Sequence, residues 1–402
     1  MKLPISSVTT AFARGRAERR HGLLVTATPG KVNLLGLSQD DLEQFLVARN
    51  EKPFRARQIM QWIYQRGVDD FEQMTDLSKS LRAELAAHAE ILPPTVRQRF
   101  DAADGCVKWL FESGWGQAVE TVFIPETDRG TLCISSQVGC ALDCSFCATG
   151  AQGFNRNLTR AEIVGQVRHA IAELPRRSNG EAAITNVVFM GMGEPLTNYR
   201  NVVPVLDLLV SDYAFGMSRR RVTVSTSGIV PQIGKLADDC NVALAVSLHA
   251  PNDELRDQIV PINKLHPIET LLEACWDYAA KRSNRFITFE YVMLDGVNDS
   301  LAHANQLAGL LKNKPAKVNL IPFNPFPGTA FTRSSADTIR RFQTRLRDRG
   351  LVATTRKTRG DDIDAACGQL AGKVSDRVKK RLGDKSIGQK STGEKDIRIS
   401  SA

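Results

Sequence analysis

The chain has 402 residues, 42% of them apolar and 24% charged, with a formal net charge of +9. That length carries one large domain or two ordinary ones around a buried core, and the composition is that of a globular protein. No apolar run reaches the roughly 18 residues of a membrane span, and the N-terminus lacks the apolar core of a secretory signal, so insertion and secretion are both disfavoured.

The first 35 residues hold six Lys/Arg and one acid, and residues 371–402 hold nine and four, so each end carries +5 and the body is close to neutral. Basic ends suit a polyanionic partner, because Lys and Arg near phosphates release counterions. They serve equally as solvated, solubilising tails. Residues 1–32 read as a basic extension in preference to an organelle transit peptide, and 376–402 as a basic tail.

Residues 33–98 read as a small helical domain. "LSQDDLEQFL" offers Ser38 as N-cap to a periodic apolar run, "KPFRARQIMQWIYQRG" ends at Gly67, and "LSKSLRAELAAHAEIL" is expected to stop before Pro93 and Pro94. From about 99 to 375 strand-like runs take over: "AVETVFIP", "TLCISSQ", "ITNVVFMG", "RRVTVSTSG", "NVALAVSLH", "RFITFEYVML" and "AKVNLIPFN". After "TLCISSQ" these alternate with helical stretches such as "TRAEIVGQVRHAIAEL", which predicts an α/β fold whose parallel sheet curls into a full or partial barrel. The unusual residues fall just after strands: a cysteine loop, then "GMGEP", "STSG", "SLH" and "NPFPG". In such barrels the C-terminal ends of the strands form the active face.

Eight cysteines at irregular spacing in a chain this long are not a secreted disulfide framework; in a reducing, cytoplasmic compartment clustered thiols are ligands or catalysts. Cys140, Cys144 and Cys147 form C-x3-C-x2-C, with Cys133 standing apart on a predicted strand. Three thiolates bind zinc or an iron–sulfur cluster. Structural zinc needs a fourth protein ligand, and neither a second C-x2-C nor a His pair is nearby. A cluster held by three cysteines leaves one iron open to substrate, which favours the cluster. Cys106, Cys240 and Cys275 match no motif and read as core.

The cysteine loop resembles that of the radical S-adenosylmethionine (SAM) enzymes. The run of "VETVFIPE", "TLCISSQVGCALDCSFCATG", "GMGEPL", "STSG", "SLHAPN", "NLIPFNPFPG" and "RKTRGDDIDAACGQL" resembles more narrowly the RlmN-type dual-specificity RNA methyltransferases, over roughly residues 33–375. The resemblance implies a partial (βα)6 barrel of TIM type behind a small α-helical N-terminal domain that contacts RNA. It implies a [4Fe–4S] cluster on Cys140, Cys144 and Cys147, its open iron chelating SAM, and a SAM pocket with Gly193, Glu194, Ser225, Ser247, Leu248, His249 and Asn324. It implies methylation of C2 of adenine, at adenosine 2503 of 23S rRNA before full ribosome assembly and at adenosine 37 of some tRNAs, with two SAM consumed per methyl. Adenine C2 is electron-poor and resists an ordinary methyl transfer, whereas a carbon radical adds there. In the family Cys367 would carry the methyl group, Cys133 would release the product through a transient disulfide, and Glu120 would accept a proton. A one-electron reductase such as flavodoxin, a monomeric state and no membrane contact complete the expectation. A C8-directed methyltransferase shares this layout, and a zinc-stabilised RNA-binding protein is the rival of another class. Arg356, Lys357 and Arg359 are candidates for lowering the Cys367 pKa.

Overall fold

The computed structural model describes residues 30–240, 242–281 and 286–372. The basic tail and nearly all of the N-terminal extension lie outside them.

The chain opens with a two-residue strand β1 (Val32–Asn33), then α1 (Gln39–Val47), α2 (Arg55–Met60), α3 (Lys79–His88) and β2 (Ala89–Glu90). Ser38 caps α1 in a reciprocal capping box with Asp41. The second expected helix is present, but α2 continues as a π-helical turn over Gln61–Gln65 before ending at Gly67, whose φ of 69° reverses the chain. The third stops at His88, short of the prolines, because Ala89 and Glu90 pair in parallel with β1 and close the unit on itself.

Next come β3 (Val96–Asp101), β4 (Val107–Glu112) and β5 (Ala118–Pro125), an antiparallel meander joined to β6 (Gly130–Cys133). A short ladder of β7 (Gln137–Gly139) with β8 (Phe154–Asn157) brackets α4 (Ala148–Ala151), and α5 (Arg160–Glu173) follows. The rest alternates: β9 (Asn186–Phe189), α6 (Tyr199–Val210), β10 (Val222–Thr226), α7 (Val230–Asp239), β11 (Ala243–Ser247), α8 (Asp253–Ile259), α9 (Ile268–Ala280), β12 (Ile287–Met293), α10 (Leu301–Leu311), β13 (Ala316–Pro322), α11 (Ala336–Asp348) and β14 (Val352–Thr355).

One ten-stranded sheet runs β14-β13-β12-β11-β10-β9-β6-β5-β4-β3, with every pairing from β6 through β9 to β14 parallel. It is a mixed α/β, partial TIM-type barrel with β14 and β3 at its two edges. Two features go beyond the sequence expectation: the β3–β4 hairpin, and β14, a seventh parallel strand too short and polar to stand out. Strands such as "ITFEYVM" are buried on both faces, as a parallel sheet covered by helices requires. The segment after β14, residues 356–372, crosses back over the barrel's open seam. Arg359 donates to the Pro125 and Asp104 carbonyls at 2.9 Å, and the Ala371 N–H donates to Glu120 at 3.2 Å. Cys106, Cys240 and Cys275 are buried, as expected of core thiols.

Candidate active site

The ends of the parallel strands open on a cavity, the kind of concave setting in which ligand sites are found. Cys140, Cys144, Cys147, Gly193, Glu194, Ser225, Ser247, His249 and Cys367 all line it.

The cysteine loop is built for close packing. Cys140 donates its N–H to the Gly153 carbonyl at 2.7 Å, and Asp143, in the left-handed region at φ 57°, turns the chain between Cys140 and Cys144. Cys147 is the N-cap of α4. Burial, then the charge of neighbouring thiols, pushes Cys140 well above the ordinary thiol range and Cys144 up to about 12. Such thiols ionise when a metal centre supplies the compensating charge. The donor set is all thiol, which suits iron–sulfur chemistry. Among the described residues no three His, Cys, Asp or Glu side chains gather around a point that one metal ion would fill.

Gly193, at φ 99°, lies so near Gln137 that a Cβ there would sit 2.5 Å from Gln137 Cβ. Gln137 in turn accepts the Glu194 N–H at 2.8 Å. The Glu194 carboxylate is buried and accepts N–H bonds from Leu196 (3.1 Å) and Ser227 (2.8 Å). Burial outweighs these bonds and raises its pKa to about 7.

His249 is buried at φ 60° and stacks edge-on against Phe146, with ring centroids 4.6 Å apart. Its Nδ1 accepts the Val292 N–H at 3.0 Å, which leaves the proton of the neutral ring on Nε2. Burial, reinforced by Arg256, drops its pKa to about 3. Asn298 holds the strained turn, donating to the His249 carbonyl (2.8 Å) and the Val292 carbonyl (2.6 Å).

Four expected site residues do not line the cavity. The Leu248 side chain is buried in the hydrophobic core, and only its backbone faces this region. Asn324 donates to the Cys367 carbonyl at 3.0 Å and so holds the loop rather than the pocket wall. Glu120 is buried on β5, 3.3 Å from Lys108. Cys133, at the end of β6, is half-buried behind the wall.

Cys367 is brought to the cysteine loop from the far end of the core. Ala148 N–H donates to the Gly368 carbonyl (2.9 Å), and Thr149 Oγ1 to the Leu370 carbonyl (2.5 Å). The charge of its thiol reaches Cys133, and Arg356 offsets the charge of both. Burial still dominates, raising Cys367 and pushing Cys133 up to about 12. Cys367 is exposed at the cavity surface even so: its accessibility is to the cavity, where protein surrounds the thiol on its other sides. Arg356 is itself anchored by Glu290 at 3.4 Å and by Met190 Sδ at 3.2 Å.

Arg256, unmarked in the sequence, is wholly buried. Its guanidinium donates to the carbonyls of Leu248 (3.0 Å), Ser227 (2.6 Å) and Ser247 (3.1 Å) and to Asn263 Oδ1 (2.8 Å). One side chain thus ties "STSG" to "SLH", and through the Ser227 N–H to Glu194. Nothing in "NDELRDQI" distinguishes it from a solvated helix arginine. Its spacing from the glycine and serine motifs is the wrong kind of signal, because the link is three-dimensional.

Two family models match the chain: the ribosomal RNA large subunit methyltransferase N-terminal domain over residues 32–91, and the radical SAM superfamily over 134–307. A radical SAM methyltransferase of Sphaerobacter thermophilus is 47% identical, with a TM-score of 0.78 over 84% of this chain and 98% of that one. A domain of the pyruvate-formate lyase-activating enzyme of Bacteroides vulgatus is 19% identical (TM-score 0.34; 43% of this chain, 99% of that one). Streptococcus suis SuiB bound to S-adenosylmethionine is 12% identical (TM-score 0.42; 60% and 57%). The last two likenesses are too loose to bear on function.

Proposed function

This chain belongs to the RlmN-type radical SAM methyltransferases, ribosomal-RNA methyltransferases that use a [4Fe–4S] cluster and SAM, and from that premise we propose that it methylates C2 of adenine through Cys367. The substrates in this reading are adenosine 2503 of 23S rRNA and adenosine 37 of a subset of tRNAs. The observation that carries it is that Cys367, from a distant part of the core, lines one cavity with Cys140, Cys144 and Cys147, while the charge of Arg356 reaches both Cys367 and Cys133.

Cys140, Cys144 and Cys147 would hold the cluster, and Gly193, Glu194, Ser225, Ser247 and His249 the SAM beside it. When bound, cluster and SAM supply one-electron chemistry that generates a carbon radical. Glu194 offers a carboxylate to a cationic amine, and Gly193 lets the chain that carries it pass against Gln137, where any side chain would collide. Arg356 favours the thiolate of Cys367, the form that accepts a methyl group. The methyl group on Cys367 would give up one hydrogen atom to that carbon radical, and its carbon would then bond to C2. Cys133 would next lose its thiol proton and bond to the Cys367 sulfur as the sulfur–carbon bond breaks. The C2 hydrogen would pass by way of Glu120 to the new methyl group, and one electron would return to the one-electron carrier. Glu120, which the Lys108 ammonium keeps paired, is the proton acceptor in this reading. Cytosolic reductants must reopen the resulting disulfide each cycle. The adenine must leave its stack to reach Cys367. Residues 33–98 form the RNA-contacting accessory domain, 99–375 the catalytic core, a flavodoxin-like donor supplies electrons, and the enzyme works as a cytoplasmic monomer.

Anaerobic turnover of 23S rRNA with the reconstituted enzyme, followed by digestion to nucleosides, tests the reading. It expects 2-methyladenosine; 8-methyladenosine alone, or no methylated base, overturns it.

A further inference from the structure

Lys108, on β4, is buried, which is rare for a lysine unless its charge is met. Its ammonium lies 3.3 Å from the Glu120 carboxylate on β5, with 7% and 10% of the two side chains exposed. The contact is a diagonal one across the β4–β5 ladder, in which Lys108 pairs with Val122 and Leu110 with Glu120. The ring of Phe100, directly across on β3, has its centroid 5.1 Å from the same nitrogen. A buried ion pair is weak evidence for stability, because two apolar side chains of similar volume often do as well or better. Joining three strands therefore does not explain charges at this place.

Both charges reach the segment that carries Cys367. Lys108 Nζ donates to the Asp364 carbonyl at 3.4 Å, and Glu120 accepts the Ala371 N–H at 3.2 Å. Asp364 precedes Cys367 by three residues and Ala371 follows it by four. Asp364 also turns the chain in the left-handed region, at φ 50°. The middle of the segment is tied to other elements: Ala148, Thr149 and Asn324 donate to the carbonyls of Gly368, Leu370 and Cys367. The cysteine thus sits in a span whose two ends are held by one ion pair and whose centre is held by the cavity rim. Neither charge holds its end well alone, since removing one leaves the other buried and uncompensated.

We propose that Lys108 is a positioning residue for Cys367: with Glu120 it clamps both ends of segment 364–371 and so sets where the thiol stands when it accepts a methyl group. This rests on the reading of Cys367 as the methyl carrier. In that step the Cys367 thiolate bonds to the methyl carbon of SAM as the carbon–sulfonium bond breaks, its electron pair staying on the departing thioether sulfur. The three atoms must stand in line, and a misplacement of about 1 Å costs on the order of a hundredfold in rate. Lys108 does not line the cavity; it acts through the backbone on either side of the cysteine.

The test compares Lys108→Met, Lys108→Arg and the double variant Lys108→Met/Glu120→Gln with the wild type. Hydrogen exchange of the cofactor-free proteins reads segment 364–371, with β12 as reference. The reconstituted holoenzymes give SAM affinity and, by mass spectrometry without RNA, the rate of Cys367 methylation at saturating SAM. In Lys108→Met the segment should exchange about tenfold faster, as expected for one lost charge-assisted hydrogen bond, with β12 close to wild type. Methylation should slow at least about tenfold while SAM affinity stays within about twofold. Lys108→Arg keeps the charge and its donors and should lie nearer wild type. Lys108→Met should also melt lower, because Glu120 loses its counter-charge; the double variant should recover the melting temperature while the segment still exchanges fast. Wild-type exchange and methylation in Lys108→Met overturn the proposal. So does a double variant whose exchange recovers along with its melting temperature, or a SAM affinity that falls as far as the rate, each the mark of a structural residue. If the wild type itself places no methyl on Cys367, the functional reading fails and takes the proposal with it, so the two failures are told apart.

Discussion

Replacing Arg256 by alanine perturbs the pocket most at its root. The guanidinium gives four hydrogen bonds to buried acceptors, three of them carbonyls at the ends of strands or in the loops just beyond. Each buried acceptor left without a partner costs about 1–3 kcal/mol, and such losses do not add in full. Four neutral acceptors stripped at once, with part of the loss recovered by relaxation, give an expected loss of about 3–5 kcal/mol for Arg256→Ala. Lysine brings a point charge that cannot serve three carbonyls at once, so Arg256→Lys should fall between. Urea denaturation of the cofactor-free protein gives the stability, and titration calorimetry gives SAM affinity, expected to fall at least about tenfold (about 1.4 kcal/mol) as Ser227 and Ser247 lose their tie. Arg341→Ala, an exposed helix arginine, is the control and should stay within about 0.5 kcal/mol. A loss below about 1 kcal/mol with SAM affinity unchanged would refute the reasoning, since even one buried acceptor left unpaired costs at least about that much.

Gly193→Ala should abolish SAM binding while the barrel still folds, because its Cβ would meet Gln137 at 2.5 Å and strain a φ of 99°; retained affinity counts against the close approach. Two buried groups set opposing pH slopes. Glu194, raised from 4.5 to about 7, contributes stability that is complete below pH 4.5 and is lost as pH rises through 7. His249, lowered from 6.5 to about 3, contributes stability that is complete above pH 6.5 and is lost as pH falls toward 3. Between pH 4.5 and 6.5 Glu194→Gln should therefore tilt the stability profile of the cofactor-free protein upward with pH, and His249→Asn downward. Asparagine tolerates the left-handed φ of that position. Urea midpoints at several pH values check both, and an unchanged slope in either variant removes that group from the account.

Much of the fold was legible because local signals agreed with it. "AVETVFIP" forms β5 over Ala118–Pro125 as read, and Ser38 caps α1. The rim was legible too, since its glycines, serines and cysteines follow strands whose alternation with helices fixes their direction. What stayed hidden was long-range. The β3–β4 hairpin is built from "VRQRFD" and "VKWLFE", charged and apolar residues in no clean alternation, and its place depends on pairing with β5. Arg256 reads as one more helix charge until its helix packs beneath two strand ends. The separation of Leu248 from its neighbours Ser247 and His249 follows from the chain leaving β11 there, which turns that side chain into the core. The arrival of Cys367 at the cavity depends on residues 356–372 crossing the barrel seam, and no local pattern encodes that.

The most direct measurement of the central claim is made on Cys133→Ala. Incubated anaerobically with its cluster, SAM and RNA, it should accumulate a covalent protein–RNA species, because the thiol that breaks the sulfur–carbon bond is gone. Mass spectrometry of the digested adduct should place the nucleotide on Cys367, linked through one carbon. Free methylated RNA released at the wild-type rate, or an adduct on any other residue, would contradict the account.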